Sequence, residues 1–344
     1  MEENIVKQEI ALVYLAKFVK AVTQIEKRNL LQKKLNMKIL GIGNAIVDVI
    51  CKVNDSFLKD NELTKSTMRL VDEKEFKKLL ENLKIEKTIS GGSVANSIVG
   101  LSQLGNEVGF IGKVNDDDLG RKYSDGLKKE NVKYHYNIKS EIIPTGTCLI
   151  LITPDSERTM CTFLGTAGKI SENDIDEKII KQSEITFLEG YLWDKGDPQK
   201  AFNKAIINSS QCAMSLSDLF CVERHKKYFL DLVESKLHIT FANEQEIKAL
   251  IGGKDFKDVI EFAKKIKKLI VITRGENGAI AIHNDQVVEC SAEKNLKIKD
   301  LTGAGDLFAA GFLHGHVNKL SLKESLKKGT ELSSKIIQQV GARL

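Results

Sequence analysis

Proline is nearly missing from this sequence: three occur in 344 residues. No proline-rich linker, internal repeat or low-complexity tract therefore divides the chain. Long apolar runs are missing too. None approaches the roughly 18 residues that a membrane-spanning helix needs. The six cysteines (Cys51, Cys148, Cys161, Cys212, Cys221 and Cys290) stand singly, without a C-x-x-C pair, and most lie in apolar runs. That pattern argues against a zinc or redox motif and predicts buried, reduced thiols in a cytoplasmic protein. Nor is there a block of one charge sign. Lys+Arg number 52 against 47 Asp+Glu, a net charge of +5, with the two signs interspersed. Nucleic acid would require a clustered basic face. The expected partners are small molecules, with neither nucleic acid nor membrane, and the expected assembly is a monomer or a homodimer.

What is present is an alternation. From Met37 onward, short apolar runs exchange with helix-period segments. The strand candidates are 38–43, 108–114, 184–190, 212–217, 238–242 and 269–275, each apolar almost throughout, as strands buried on both faces are. Between them lie amphipathic stretches at 94–104, 118–130, 197–208, 223–235 and 255–267. Repeated βα alternation predicts an α/β fold, a central mostly parallel sheet flanked by helices on both faces. Residues 50–72 and 145–164 break the rhythm and read as strands with partly polar faces, a small antiparallel β lid. Residues 1–36 differ from the rest: apolar positions at helix period (Ile10, Val13, Phe18, Val22, Ile25) mix with many lysines. They read as an N-terminal helical extension, or as the product of an upstream start codon.

Two glycine motifs carry chemistry. In DLTGAGDLFAAGF (300–312), Gly303, Ala304 and Gly305 stand where a helix begins. Backbone N–H groups at a helix N-terminus make an anion site, and glycine lets a phosphate come close. Asp306 beside that site would repel an anion unless its carboxylate faces a hydroxyl that the phosphoryl group is about to join. A plain glycine turn with a helix-capping aspartate fits the same residues. In GGSVANSIVGLSQLG (91–105), Gly91 and Gly92 precede a helix on which Ser93, Ala95, Ser97 and Gly100 permit close packing, and Asn96 lies one turn in. Two other nucleotide folds fail on pattern. GIGNAI (41–46) puts Ile46 where a dinucleotide fingerprint has its third glycine, and no G-x-x-x-x-G-K-[ST] loop occurs.

Together the two stretches resemble the paired signatures of the ribokinase-like (PfkB-type) carbohydrate kinases, over about residues 37–344. Leu301 stands where the family pattern has threonine, and Thr302 follows. Asn243-Glu244-Gln245-Glu246 is similar to the family's Asn-x-x-Glu, which organises Mg²⁺ and phosphate. Thr273 to Gly278 resembles the turn that holds the nucleotide, giving Thr273, Gly275 and Gly278. Gly43 to Asp48 is similar to the start of the adenosine-kinase-like branch, in which Asn44 and Asp48 hold ribose hydroxyls. The resemblance implies a kinase domain with ATP and Mg²⁺ as cofactors, the metal held near Glu246 and Asn243 through water. It implies Asp306 as catalytic base, Gly303–Gly305 as the anion hole, and Gly91, Gly92, Ser93 and Asn96 on the substrate side.

Elementary chemistry agrees with these assignments. Asp48 is expected at the C-terminal end of the first strand, where α/β sheets place ligands. Asn243 and Glu246, three apart on a helix start, can face one crevice, and hard oxygen ligands suit Mg²⁺. Arg158, in the expected lid, either closes over the transferring phosphate or is a surface arginine. Phe163, Tyr191 and Trp193 either stack a base or belong to the core, and Phe163 is taken for the substrate side. The expected activity is ATP-dependent phosphorylation of a primary hydroxyl of a ribose-containing molecule, foremost a nucleoside such as adenosine. A kinase of a free sugar such as ribose or fructose is the alternative, and a non-catalytic nucleoside- or sugar-binding relative the remaining one.

Overall fold

Six apolar runs become the interior of one sheet. The computed structural model describes residues 37–344 apart from Asn82 and Ser156, so the extension expected over 1–36 lies outside the described residues. In chain order the strands are β1 (Met37–Ile42), β2 (Val47–Lys52), β3 (Met68–Leu70), β4 (Ile85–Ser90), β5 (Val108–Ile111), β6 (Lys133–Tyr134) and β7 (Thr147–Ile152). They continue as β8 (Arg158–Phe163), β9 (Ser183–Glu189), β10 (Cys212–Ser215), β11 (Ile239–Asn243), β12 (Leu269–Thr273), β13 (Ala279–His283) and β14 (Gln286–Cys290). Nine form a large sheet in the order β14-β13-β12-β11-β10-β9-β1-β5-β6. Its pairs β9–β10, β10–β11, β11–β12, β1–β5 and β5–β6 are parallel, and the edge hairpin β13–β14 is antiparallel. Helices flank it, giving a ribokinase-like α/β fold.

The remaining five strands make a separate small sheet, β3-β8-β7-β2-β4. It mixes antiparallel pairs (β2–β4, β7–β8) with parallel ones (β2–β7, β3–β8). Residues 50–72 are not strand throughout. Asn54 accepts from the Phe57 amide at 2.9 Å and starts a helix over Asp55–Asp60, so only the ends of the stretch pair. The edge strand β4 has no strand signature in the sequence, because Glu86 and Lys87 interrupt it. Charge suits an edge that faces water.

The architecture places the site through one reversal. β1 lies between β9 and β5, so later strands build outward on one side of it and β5 and β6 on the other. The crevice at the carboxyl ends of β1 and β9 is thus a topological switch point, where open α/β sheets bind ligands. Two helices start there, Ser93–Gln103 and Ala304–Val317, and they pack closely together. Gly100 makes this possible: a Cβ on it would lie 2.8 Å from Leu307 Cδ1 and 3.1 Å from Ala310 Cβ.

Beneath the first helix, Gly41 in β1 leaves room for Ile98, which is fully buried. A Cβ at Gly41 would stand 2.5 Å from Ile98 Cγ1 and 2.8 Å from Val94 Cγ1. Gly41→Ala is expected to cost about 1–3 kcal/mol by overpacking. Because the two positions touch, adding Ile98→Ala should recover part of that loss instead of summing with it. Urea unfolding of the two single variants and the double variant measures the coupling.

Candidate active site

At the switch point the two helix starts are joined through one side chain. Asp306, in the first turn of Ala304–Val317, accepts from Ser93 Oγ at 2.6 Å and from Asn96 Nδ2 at 3.0 Å. Ser97 Oγ donates to the Asp306 backbone carbonyl at 2.9 Å. Burial pushes the Asp306 carboxyl up to about 6, while the Ser93 and Asn96 bonds and the charge of Arg343 hold it down. It therefore stays ionised at neutral pH yet close to its titration point, the condition of an effective general base.

The loop before it is built to present backbone. Gly303 has φ 77°, a left-handed turn, with Ala342 packed against the place a side chain would take. The Ala304 N–H turns back to Leu301 O at 3.2 Å, so the amides left to meet an anion at this helix start are those around Gly305, which have no helical carbonyl to pair with. Gly305 itself is exposed, and a Cβ there would meet nothing within 4 Å. The protein's own packing does not demand a glycine at that point, and the space beside its backbone is open to a ligand. Leu301 is 66% exposed at the cleft, and the loop's side-chain hydrogen bond comes instead from Thr302, whose Oγ1 donates to Asp300 at 2.7 Å.

Across the crevice stand more carboxylates. Asp48 belongs to β2 of the small sheet, not to the end of β1, and Gly91 gives it space: a Cβ there would fall 2.4 Å from its Oδ2. Burial lifts Asp48 to about 7, opposed by the charges of Arg343 and Arg158. Asn44 donates through its amide and Nδ2 to Glu189 Oε1 at 3.3 and 3.0 Å, and its buried Oδ1 has no partner. Glu189 Oε2 also accepts from the Val94 amide at 3.0 Å, so this carboxylate caps the helix that carries Asn96. Burial raises Glu189 to about 7. The sequence reading missed it, although a lone acid closing the apolar run ITFLE was the available signal. Gly92 approaches Asn44 so closely that a Cβ would sit 2.3 Å from its carbonyl oxygen.

On the far side, register aligns Asn243 with Thr273 at the ends of β11 and β12. Asn243 and Glu246 form a capping box, Asn243 Oδ1 accepting from the Glu246 amide at 2.8 Å while Nδ2 donates to Glu246 Oε1 at 2.6 Å. Glu246 is buried at the cleft wall and raised to about 7 by that burial. Gly275 and Gly278 shape the turn beyond β12 without lining the cleft. The cleft has a volume of about 540 Å³ and runs from this wall to the small sheet. There Ile46, Cys148, Ile150, Met160 and Leu164 form an apolar strip, with Met68 36% and Leu70 41% exposed beside it.

Three expected residues are placed elsewhere. Arg158 does not close over the cleft. It points to the loop's foot, where Nη1 donates to Asp300 at 2.8 Å with 13% of the side chain exposed. Phe163 packs on Phe76, with ring centroids 5.8 Å apart, and does not line the cleft. Trp193 is buried against His225 and Tyr228. Tyr191 does reach the cleft, as does Phe220, an aromatic face half open to it that sequence reasoning overlooked.

A family model described as pfkB family carbohydrate kinase matches residues 59–344. The adenosine kinase of Sinorhizobium meliloti has a similar solved structure, 35% identical, with a TM-score of 0.83, covering 90% of this chain and 96% of that one. A probable sugar kinase protein from Rhizobium etli matches at 34% identity and a TM-score of 0.82, covering 90% and 95%. Adenosine kinase 2 of Arabidopsis thaliana is 25% identical over 336 residues, 88% of this chain and 94% of its own length.

Two measurements follow. Gly305→Ala should leave the melting temperature unchanged or slightly higher, since helix propensity favours alanine. It should nevertheless raise the KM for ATP about tenfold or more, by displacing a close phosphate contact. Asp48, Glu189 and Glu246 titrate higher folded than unfolded, so their protonation favours the fold. Stability of the ligand-free protein should accordingly fall as pH rises from about 4 to about 7. Asp48→Asn should raise the melting temperature most at pH 8, less at pH 5 and little at pH 3.5.

Proposed function

The chain belongs to the pfkB family of carbohydrate kinases and is an ATP-dependent sugar or nucleoside kinase, and from that premise we propose that its acceptor is the primary hydroxyl of a nucleoside, adenosine foremost. The apolar strip on the small sheet carries this reading. A free sugar offers hydroxyls to Asp48 and Asn44 but no flat apolar surface for Ile46, Cys148, Ile150, Met160 and Leu164. A purine or pyrimidine covers such a strip and gains by leaving water, and Phe220 adds a face for stacking.

The proposed mechanism assigns each group by position. Asp48 accepts hydrogen bonds from the ribose hydroxyls, and the unpartnered Oδ1 of Asn44 takes another. The primary hydroxyl is placed against Asp306, which receives its proton as the oxygen attacks the terminal phosphoryl group of ATP. Amides at the start of Ala304–Val317, opened by Gly305, stabilise the charge on the phosphoryl oxygens. The loose transition state asks chiefly for positioning and neutralised charge. Arg158 is assigned to supporting the loop through Asp300.

Glu246 and Asn243 suit Mg²⁺. A buried carboxylate at the cleft wall, raised to about 7 and without a cationic partner among the described residues, is a group that a cation would satisfy. Among the described residues no three acidic, histidine or cysteine side chains converge into a cage. That agrees with the usual binding of Mg²⁺ through one or two carboxylates, waters and substrate phosphates. Bound there, the ion would neutralise phosphate charge.

An ATP-consumption assay with adenosine, other nucleosides, ribose and fructose tests the proposal. Turnover with a nucleoside is the expected result, and turnover with free sugars alone would overturn it. With the accepted substrate, Asp306→Asn should lower kcat by about 10²–10⁴-fold while equilibrium dialysis still detects nucleoside binding.

A further inference from the structure

Arg343 belongs to none of the motifs, yet its side chain reaches the back of the site. It sits in the segment after the last helix, Leu322–Ile336. The Gly341 amide donates to Asp300 Oδ2 at 2.8 Å, and Ala342 lies against Gly303. The side chain is half-buried, with Nη2 withdrawn from solvent, and lines a second cavity with Asp48, Tyr123 and Glu130. Its Nε donates to Asn96 Oδ1 at 3.0 Å. Its Nη2 has no protein partner, and it forms no ion pair among the described residues.

We propose that Arg343 is a positioning residue that fixes the direction of a three-member hydrogen-bond chain, so that Asp306 is held as a proton acceptor. The argument is one of donors and acceptors, and it rests on Asp306 being the base assigned above. Guanidinium only donates. The Asn96 amide must therefore turn its oxygen to Arg343, which leaves Nδ2 to donate to Asp306 Oδ2. A proton on that carboxylate oxygen would meet the N–H of Asn96 head on. Without Arg343 the amide is free to flip, and Asn96 would then accept from a protonated, idle Asp306. The other groups facing Asp306 cannot set this direction. The Ser93 hydroxyl rotates, and Ser97 bonds only the backbone carbonyl. Asp48 on β2, and Glu189 and Tyr191 at and just beyond the end of β9, bring no positive charge to Asp306, and its carboxylate takes its side-chain hydrogen bonds from Ser93 and Asn96. The unpaired Nη2 leaves the positive charge uncancelled near both Asp306 and Asp48.

The experiment compares wild type, Arg343→Met, Arg343→Lys, Asn96→Ala and the double variant Asn96→Ala/Arg343→Met. The acid limb of kcat/KM is read with whichever acceptor the wild type phosphorylates, and the Asp306 carboxyl is titrated by ¹³C NMR, its signal identified through Asp306→Asn. Arg343→Met should move both the limb and the titration up by about one pH unit. At pH 7 its kcat should fall about twofold, and about tenfold at pH 5, with a smaller change in the nucleoside KM. Arg343→Lys, also a pure donor, should restore the limb. In the Asn96→Ala background Arg343→Met should shift the titration much less. An unchanged titration in Arg343→Met, or an undiminished shift without Asn96, would overturn the proposal. If Arg343→Met fails to fold, Arg343→Lys decides alone: a limb displaced upward, as far as in Asn96→Ala, overturns it. The NMR arm needs no turnover, so failure of the nucleoside reading leaves it intact.

Discussion

Everything in the cleft depends on a carboxylate that the chain needs two distant helices to hold. Asp306 is half-buried, and the loss of water around its carboxylate favours the protonated form. Ser93 and Asn96, 213 and 210 residues earlier, supply the hydrogen bonds that keep it ionised. Those bonds exist only while the two helix starts meet. Gly100 against Leu307 and Ala310, and Gly41 beneath Ile98, are therefore as necessary to the chemistry as the polar atoms. Glu189 does the corresponding work from the sheet: it binds Asn44 and the Val94 amide, locking the end of β1 to the first helix.

The site brings four acids into one crevice, and that arrangement opposes folding. Asp48, Glu189, Glu246 and Asp306 are all raised by burial, and the charge of Asp306 raises Asp48 and Glu189 further. A crevice of this kind is stable when something positive or proton-donating fills it. Sugar hydroxyls, a hydrated cation and the amides of a helix start each offer what one of these groups lacks. Strain of this origin is common where a fold serves binding before stability.

Much of this was legible. Apolar runs such as LIVIT (269–273) can only be doubly covered strands, and six of them named the centre of the sheet. The glycines before Ser93 and Asp306 announced two helix starts, and Asn243 with Glu246 announced a capped third. What escaped was whatever depends on partners far along the chain. Glu189 looks like a strand terminus until Asn44 is placed beside it, 145 residues away. Arg343 has no local pattern, since its partner Asn96 lies 247 residues earlier. Phe163 was read as a stacking surface because aromaticity is visible in a sequence, whereas the competing ring of Phe76 is not. β4 was missed because its charges serve an edge, and edges carry no apolar signature.

Asp300 ties three segments together: Thr302 in the loop, Gly341 after the last helix, and Arg158 on the small sheet. A buried ion pair of this kind is costly to break one partner at a time. Any opening of the small sheet at β8 must stretch the Arg158–Asp300 contact, and with it one of the ties that keep the loop in shape. In the proposed kinase cycle, entry and exit of the acceptor would thus be geared to the shape of the loop before Asp306. By the same movement, an opened molecule would be one less able to squander ATP on water.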